Sequence, residues 1–204
     1  MATLSTPSFK LARVKEGEGV LLPEEQTLYR CRVGIHLYLV KHTRPDLANA
    51  MRELSKAMDV VNHLHWRELL QVITYALKTQ EKGIVLKPDL KLVKLNLKIF
   101  VDAKFAGDQD NRKSIMGRII YLNGAPVGWN SKAISWVTLS LTEAEYVAMS
   151  EGLKDLKFIY MSLKYLQMKV HLPMLVFIDN IGASKMLDLK TNKCHAKHVD
   201  TRYH

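Results

Sequence analysis

The feature that most constrains this chain is a carboxylate on the apolar side of a helix. The stretch Leu139-Ser140-Leu141-Thr142-Glu143-Ala144-Glu145-Tyr146 opens as a helix start, with Ser140 or Thr142 to cap free N–H groups and acidic residues in the first turn. At helical spacing, Glu145 shares a face with Leu141, Ala148, Gly152, Leu156 and Ile159. Glu143 falls instead with Val147, Ser150, Lys154 and Lys157, a mostly wet row. An apolar face has no use for an unpaired carboxylate. Either Glu145 reaches out to water from the helix end, or it faces groups that need it, and the helix alone leaves both open.

Two other acids bear on that choice. Lys98-Ile99-Phe100-Val101-Asp102 continues a Leu95/Leu97/Ile99/Val101 alternation, and Met174-Leu175-Val176-Phe177-Ile178-Asp179 is an apolar hexad closing in Asp179-Asn180. Both predict strands, the second buried on both faces. An acid at the carboxyl end of a central strand lies where α/β proteins keep their sites. Taken singly, an Asp after a strand only starts a turn. Two such strands flanking a helix with an inward Glu make a constellation of Asp102, Glu145 and Asp179.

A formal net charge of +10 in 204 residues points to a polyanionic partner, nucleic acid before membrane. The apolar share of 48% and charged share of 25% are those of a globular chain. Cys31 and Cys194 lie far apart without pairing or metal spacing, which predicts a reducing compartment. No run reaches membrane-spanning length and the polar N-terminus has no signal-peptide core, so the expected location is intracellular, cytoplasmic or nuclear, and not secreted.

In order along the chain, residues 1–28 read as an extended arm or linker, with Gly17, Gly19, Pro7 and Pro23 and no period. Residues 29–90 read as a helical module. A short helix from Tyr29 packs through Val33, Leu37 and Tyr38; a second opens at Thr43-Arg44-Pro45-Asp46 and buries Leu47, Ala50, Met51, Leu54, Ala57, Met58 and Val61. A third runs from about His65, burying Leu69, Val72, Ile73, Ala76 and Leu77, and stops before Gly83. His63, His65 and Trp66 are not a ligand cluster, since histidines two apart on a helix face different ways. Residues 95–204 then predict an α/β domain: strands at 95–102, 114–122 and 125–135, a helix over 141–167, a strand at 174–179 and a helix over 181–189, with Asn123-Gly124 as a hairpin turn. Asp108-Gln109-Asp110-Asn111 lacks the glycine and closing Glu of a calcium loop. The basic tail from Lys193 to His204 has no zinc spacing, and phosphate contact suits it better.

Several separated segments go further. Asp102-Ala103-Lys104-Phe105-Ala106-Gly107-Asp108, Trp129-Asn130-Ser131-Lys132, Leu139 through Tyr146, Asp179-Asn180, and Lys197-His198-Val199-Asp200-Thr201-Arg202-Tyr203-His204 closely resemble the ribonuclease H domain of copia-type retrotransposon polyproteins. Leu28-Tyr29-Arg30, Val33-Gly34, Thr43-Arg44-Pro45-Asp46 and His65-Trp66 resemble the segment linking reverse transcriptase to that domain. The resemblance implies a ribonuclease H-like fold of three antiparallel strands, a helix, a parallel strand and a helix, with its last strand and helix missing. It implies cleavage of the RNA strand of RNA–DNA hybrids, with Asp102, Glu145 and Asp179 both catalytic and metal-holding, around two Mg2+ ions or Mn2+ in their place. Ser131, Lys132, Asn180, Lys197, His198 and Arg202 stand as nucleic-acid contacts, and the reverse transcriptase portion of the parent polyprotein as a partner.

This sequence departs from the family pattern in three places. Lys104-Phe105 stands where the family has an acidic residue and Trp, and Ser114-Ile115-Met116-Gly117-Arg118 where it has Ser-Thr-Ser-Gly-Tyr. The family's fourth carboxylate follows the Arg-Tyr-His stretch, so it is expected to be absent; Asp200 is a candidate substitute, although its motif matches the start of the preceding helix. No Tyr-x-Asp-Asp polymerase motif occurs. The alternative is a non-catalytic, nucleic-acid-binding remnant of such a polyprotein.

Overall fold

The computed structural model describes residues 19–87, 94–108, 110–180 and 182–183. The chain divides into two compact units, Met1–Val85 and Leu86–His204. The predicted helix over 181–189 lies outside the described residues except for Gly182 and Ala183, which are helical.

In the first unit, α1 spans Pro23–His42, a single 3-10 turn covers Pro45–Leu47, α2 spans Ala48–Ser55 and α3 spans His63–Lys78. Residues 23–28, expected in the extended arm, are helical instead. Pro23 supplies the fixed φ of a first helical residue, Glu24 and Glu25 favour the positive helix end, and the Glu25 carboxylate accepts the Leu22 N–H at 3.0 Å. The buried stripe of α1 is Tyr29, Val33 and His36. Leu37 and Tyr38, expected inside, lie on the exposed flank, as does Leu77 of α3. Tyr29 fills the middle of this core with Leu47, Met51, Leu54 and Leu69, and its hydroxyl donates to the Leu54 carbonyl at 2.8 Å.

Arg44 does more than precede a helix. Its guanidinium makes a two-pronged pair with Asp46 (3.0 and 2.9 Å) and donates to the Thr79 carbonyl at 3.1 Å and the Thr79 hydroxyl at 2.7 Å. A buried Arg fork thus satisfies carbonyl groups that the end of α3 leaves open.

In the second unit, β1 spans Leu97–Lys104, β2 Ile115–Leu122, β3 Ala125–Ala133, α4 Leu141–Tyr165 and β4 Leu175–Phe177. The sheet order is β3-β2-β1-β4, with the first three strands antiparallel and β4 parallel to β1. This is a mixed four-stranded sheet with helices, an α/β arrangement. Asn123 and Gly124 both take positive φ, as the two-residue turn between β2 and β3 requires, and Asn123 accepts the Asn96 N–H at 2.6 Å.

Leu97, Ile99, Val101 and Ala103 of β1 are buried in one core cluster with Ala144, Val147, Ala148 and Leu156 of α4. Gly152 sets the distance between these layers. A Cβ there would lie 3.0 Å from both Ile99 Cδ1 and Val101 Cγ2, so any larger residue would push these side chains aside. Arg118, one of the departures noted above, pairs with Asp155 of α4 at 2.6 Å.

Two expectations fail here. Glu143 is not on a wet row: it is 3% exposed and its carboxylate accepts the Leu139 N–H at 2.7 Å, because the chain entering α4 folds over the first turn. Nor is the apolar hexad buried on both faces. Leu175 and Phe177 are 46% and 42% exposed, since β4 is an edge strand and no described element covers that side of it.

Candidate metal centre

The three acids singled out from the sequence converge. One carboxylate oxygen from each of Asp102, Glu145 and Asp179 lies within 4.8 Å of the others. Sheet register explains how two of them meet. In the parallel pair, Phe100 of β1 stands opposite Phe177 of β4. Asp102 lies two residues further along β1 and Asp179 two residues past the end of β4, and their carboxylates come together on the exposed side. Both are exposed.

Glu145 arrives from α4, whose start is fixed by the Ser140 hydroxyl accepting the Glu143 N–H at 3.1 Å. Pairing between β1 and β4 stops at Phe100, and the N–H of Ala103 is accepted by Glu145 Oε1 at 3.0 Å. Its other oxygen, Oε2, is buried with no hydrogen-bond partner among the described residues. The segment after Asp179 passes close to α4 at Gly182. A Cβ there would lie 3.3 Å from Thr142 on the first turn of α4 and 3.0 Å from Asn180 Oδ1, so the segment after Asp179 sits against the helix that carries Glu145.

The electrostatics follow from this packing. Burial pushes the Glu145 carboxyl up, the Ala103 N–H pulls it partly back, and the charges of Asp102 and Asp179 push it up again, to about 7. A buried carboxylate oxygen without a donor, beside two further carboxylates, is the arrangement that a hard divalent cation relieves. All three donors are oxygen, which suits Mg2+ or Mn2+ rather than a soft metal.

The remaining predicted residues separate. Asp102, Gly117 and Ser131 form one row across β1, β2 and β3, which puts Ser131 on the same face of the sheet as Asp102. Lys132 is in the neighbouring row with Met116 and Ala103, on the face toward α4. Asn180 accepts the Ala183 N–H through Oδ1 at 3.0 Å, a backbone-holding role. Lys197, His198, Arg202 and Asp200 lie outside the described residues. What the sequence reading missed is the contribution of Ala103, which is made by its main chain and leaves no side-chain signal; the close approach at Gly182 was equally silent.

The fold and the cluster together define an α/β domain with an acidic centre at the carboxyl ends of two adjacent parallel strands. Over 98% of its length the chain is 34% identical to a retrovirus-related Pol polyprotein from transposon RE2 of Arabidopsis thaliana, and over 86% it is 32% identical to one from transposon TNT 1-94 of Nicotiana tabacum. It is 38% identical over 127 residues, 62% of its length, to the secreted RxLR effector protein 161 of Plasmopara viticola, of which it covers 87%. The chain belongs to the same family as that Plasmopara protein, and over most of its length its homologues are retrovirus-related Pol polyproteins from transposons. It spans 14% and 13% of the length of the Arabidopsis and Nicotiana polyproteins. No protein-family model matches the chain, and no solved structure does. No helix among the described residues is long and apolar enough to cross a membrane.

Proposed function

We propose that this chain is the reverse transcriptase connection and ribonuclease H part of a copia-type Pol polyprotein, and that its second unit hydrolyses the RNA strand of RNA–DNA hybrids. The observation that carries this reading is the Glu145 carboxylate: buried, anchored at one oxygen by the Ala103 N–H, orphaned at the other, and within 4.8 Å of Asp102 and Asp179. Supporting it are the homology to transposon Pol polyproteins and the strand–strand–strand–helix–strand order, which is that of the ribonuclease H-like fold.

Asp102, Glu145 and Asp179 would hold two Mg2+ ions. When bound, these would supply an activated water and charge stabilisation for the departing 3′-oxygen of an in-line phosphodiester displacement. The chain's own groups set the geometry. Glu145 is fixed by a main-chain donor and cannot swing away, while exposed Asp102 and Asp179 present their oxygens on the open side of the strand ends, where a phosphodiester can approach. In the net reaction the P–O3′ bond breaks and a P–OH bond forms. The excess of basic residues attracts the hybrid backbone, and contacts to 2′-hydroxyls would mark the RNA strand.

The test is direct. Labelled hybrid incubated with the chain and Mg2+ should be cleaved in its RNA strand, and Asp102→Asn should abolish cleavage. Absence of cleavage at every Mg2+ and Mn2+ concentration overturns the nuclease reading; salt-dependent binding without turnover would then favour the non-catalytic remnant.

A further inference from the structure

Lys104 ends β1 two residues beyond Asp102, and strand alternation puts both on the exposed side of that strand. It makes no ion pair or hydrogen bond among the described residues. An exposed lysine is ordinarily a solvated stem with a wandering head. Here the stem leaves the strand beside a tight loop: a Cβ on Gly107 would lie 3.1 Å from Lys104 Cγ, 3.2 Å from the Lys104 carbonyl oxygen and 2.8 Å from Ile115 Cδ1. That loop is itself pinned. The Ala106 N–H donates to the Ser114 hydroxyl at 3.0 Å, Ser114 and Thr138 share a buried hydrogen bond of 2.6 Å, and the Asp108 N–H donates to the Lys113 carbonyl at 2.9 Å.

Three clustered carboxylates repel a polyanion. An ammonium on the same strand face, with no partner among the described residues, offers that polyanion a point of attraction beside the centre. We propose that Lys104 is a positioning residue, whose ammonium takes a non-bridging oxygen of a phosphate neighbouring the one at the carboxylates and so fixes how far the nucleic-acid strand is threaded through the site. This deepens the nuclease reading and rests on it for the identity of the reacting phosphate.

The experiment uses the whole chain and a short labelled RNA–DNA hybrid. Binding is measured in metal-free buffer over a salt series, and cleavage with Mg2+, for wild type, Lys104→Gln, Lys104→Arg and the control Lys164→Gln. Lys164 is on the same helix as Glu145 but about 28 Å further along its axis. Lys104→Gln should weaken binding roughly three- to tenfold at low salt and reduce the slope of log K against log salt by about 1. It should raise KM by the same factor while leaving kcat and the melting temperature unchanged. Lys104→Arg should restore binding, and Lys164→Gln should change nothing. The proposal is overturned if Lys104→Gln binds with wild-type affinity and slope, if Lys164→Gln shows the same loss, if kcat falls with KM unmoved, or if wild type does not bind the hybrid at all. Wild-type binding without cleavage defeats the nuclease reading alone, because the salt series still decides whether Lys104 holds a phosphate.

Discussion

Replacing Glu145 by Gln should make the metal-free protein more stable above neutral pH. The wild-type acid titrates near 7 in the folded chain, against an ordinary value of 4.5. Between these values the folded state keeps a proton that the unfolded state has released, so stability falls as pH rises through this window. At about 1.4 kcal/mol per pH unit, the loss is about 3 kcal/mol by the time Glu145 is fully ionised. It is absent below pH 4.5. Gln keeps an acceptor for the Ala103 N–H and turns the orphaned oxygen into a donor facing Asp102 and Asp179. Urea unfolding at pH 5 and pH 8.5 measures the effect. Tryptophan fluorescence in a Trp66→Phe background reports on the second unit through Trp129 and Trp136. Wild type should be weaker than Glu145→Gln by about 3 kcal/mol at pH 8.5 and by only about 1 kcal/mol at pH 5. Mg2+ should recover wild-type stability at pH 8.5 and leave the variant where it was. If the two proteins lose stability in parallel through the window, or if Mg2+ stabilises both alike, the account of the acidic centre is wrong.

Three further outcomes follow from the packing. Gly152→Ala gains helix propensity but drives a Cβ into Ile99 and Val101, so a net loss of about 1 kcal/mol should appear in the same urea assay. Ser140→Ala removes the cap of α4 and should cost about 1 kcal/mol, with cleavage slowed because Glu145 sits close behind that cap. In the first unit, Arg44→Ala uncaps the end of α3 and should cost about 2–3 kcal/mol, read by Trp66 fluorescence. Arg44→Lys should recover less than half of it, since an ammonium cannot reproduce the fork.

How much of this was readable beforehand varies with the kind of signal. The alternation Leu97, Ile99, Val101 and the Asn123-Gly124 turn are local and period-bound, and β1, β2, β3 and the hairpin follow from them. Glu145 was legible as an anomaly, because an acid among Ala148, Gly152 and Leu156 breaks a helical stripe. Glu143 misled for the opposite reason: its neighbours in the helical projection are mixed, and only the folding of Leu139 over the first turn buries it. The exposure of Leu175 and Phe177 depends on sheet order, which composition does not encode. The start of α1 at Pro23 was hidden by Gly17 and Gly19 shortly before it, although Pro23-Glu24-Glu25 is itself a helix opening.

The register that brings Asp102 beside Asp179 also has a bearing on synthesis. Glu145 leans on a peptide group 42 residues upstream, and Asp179 comes later still. A nascent chain that has emerged only as far as α4 holds two acids facing each other with no third, and β4 has not yet aligned beside β1. Such a chain has no complete cradle for a cation. The three acids therefore come together only when translation has passed Asp179 and the last of these strands has docked, so any cation binding that needs all three would follow that step.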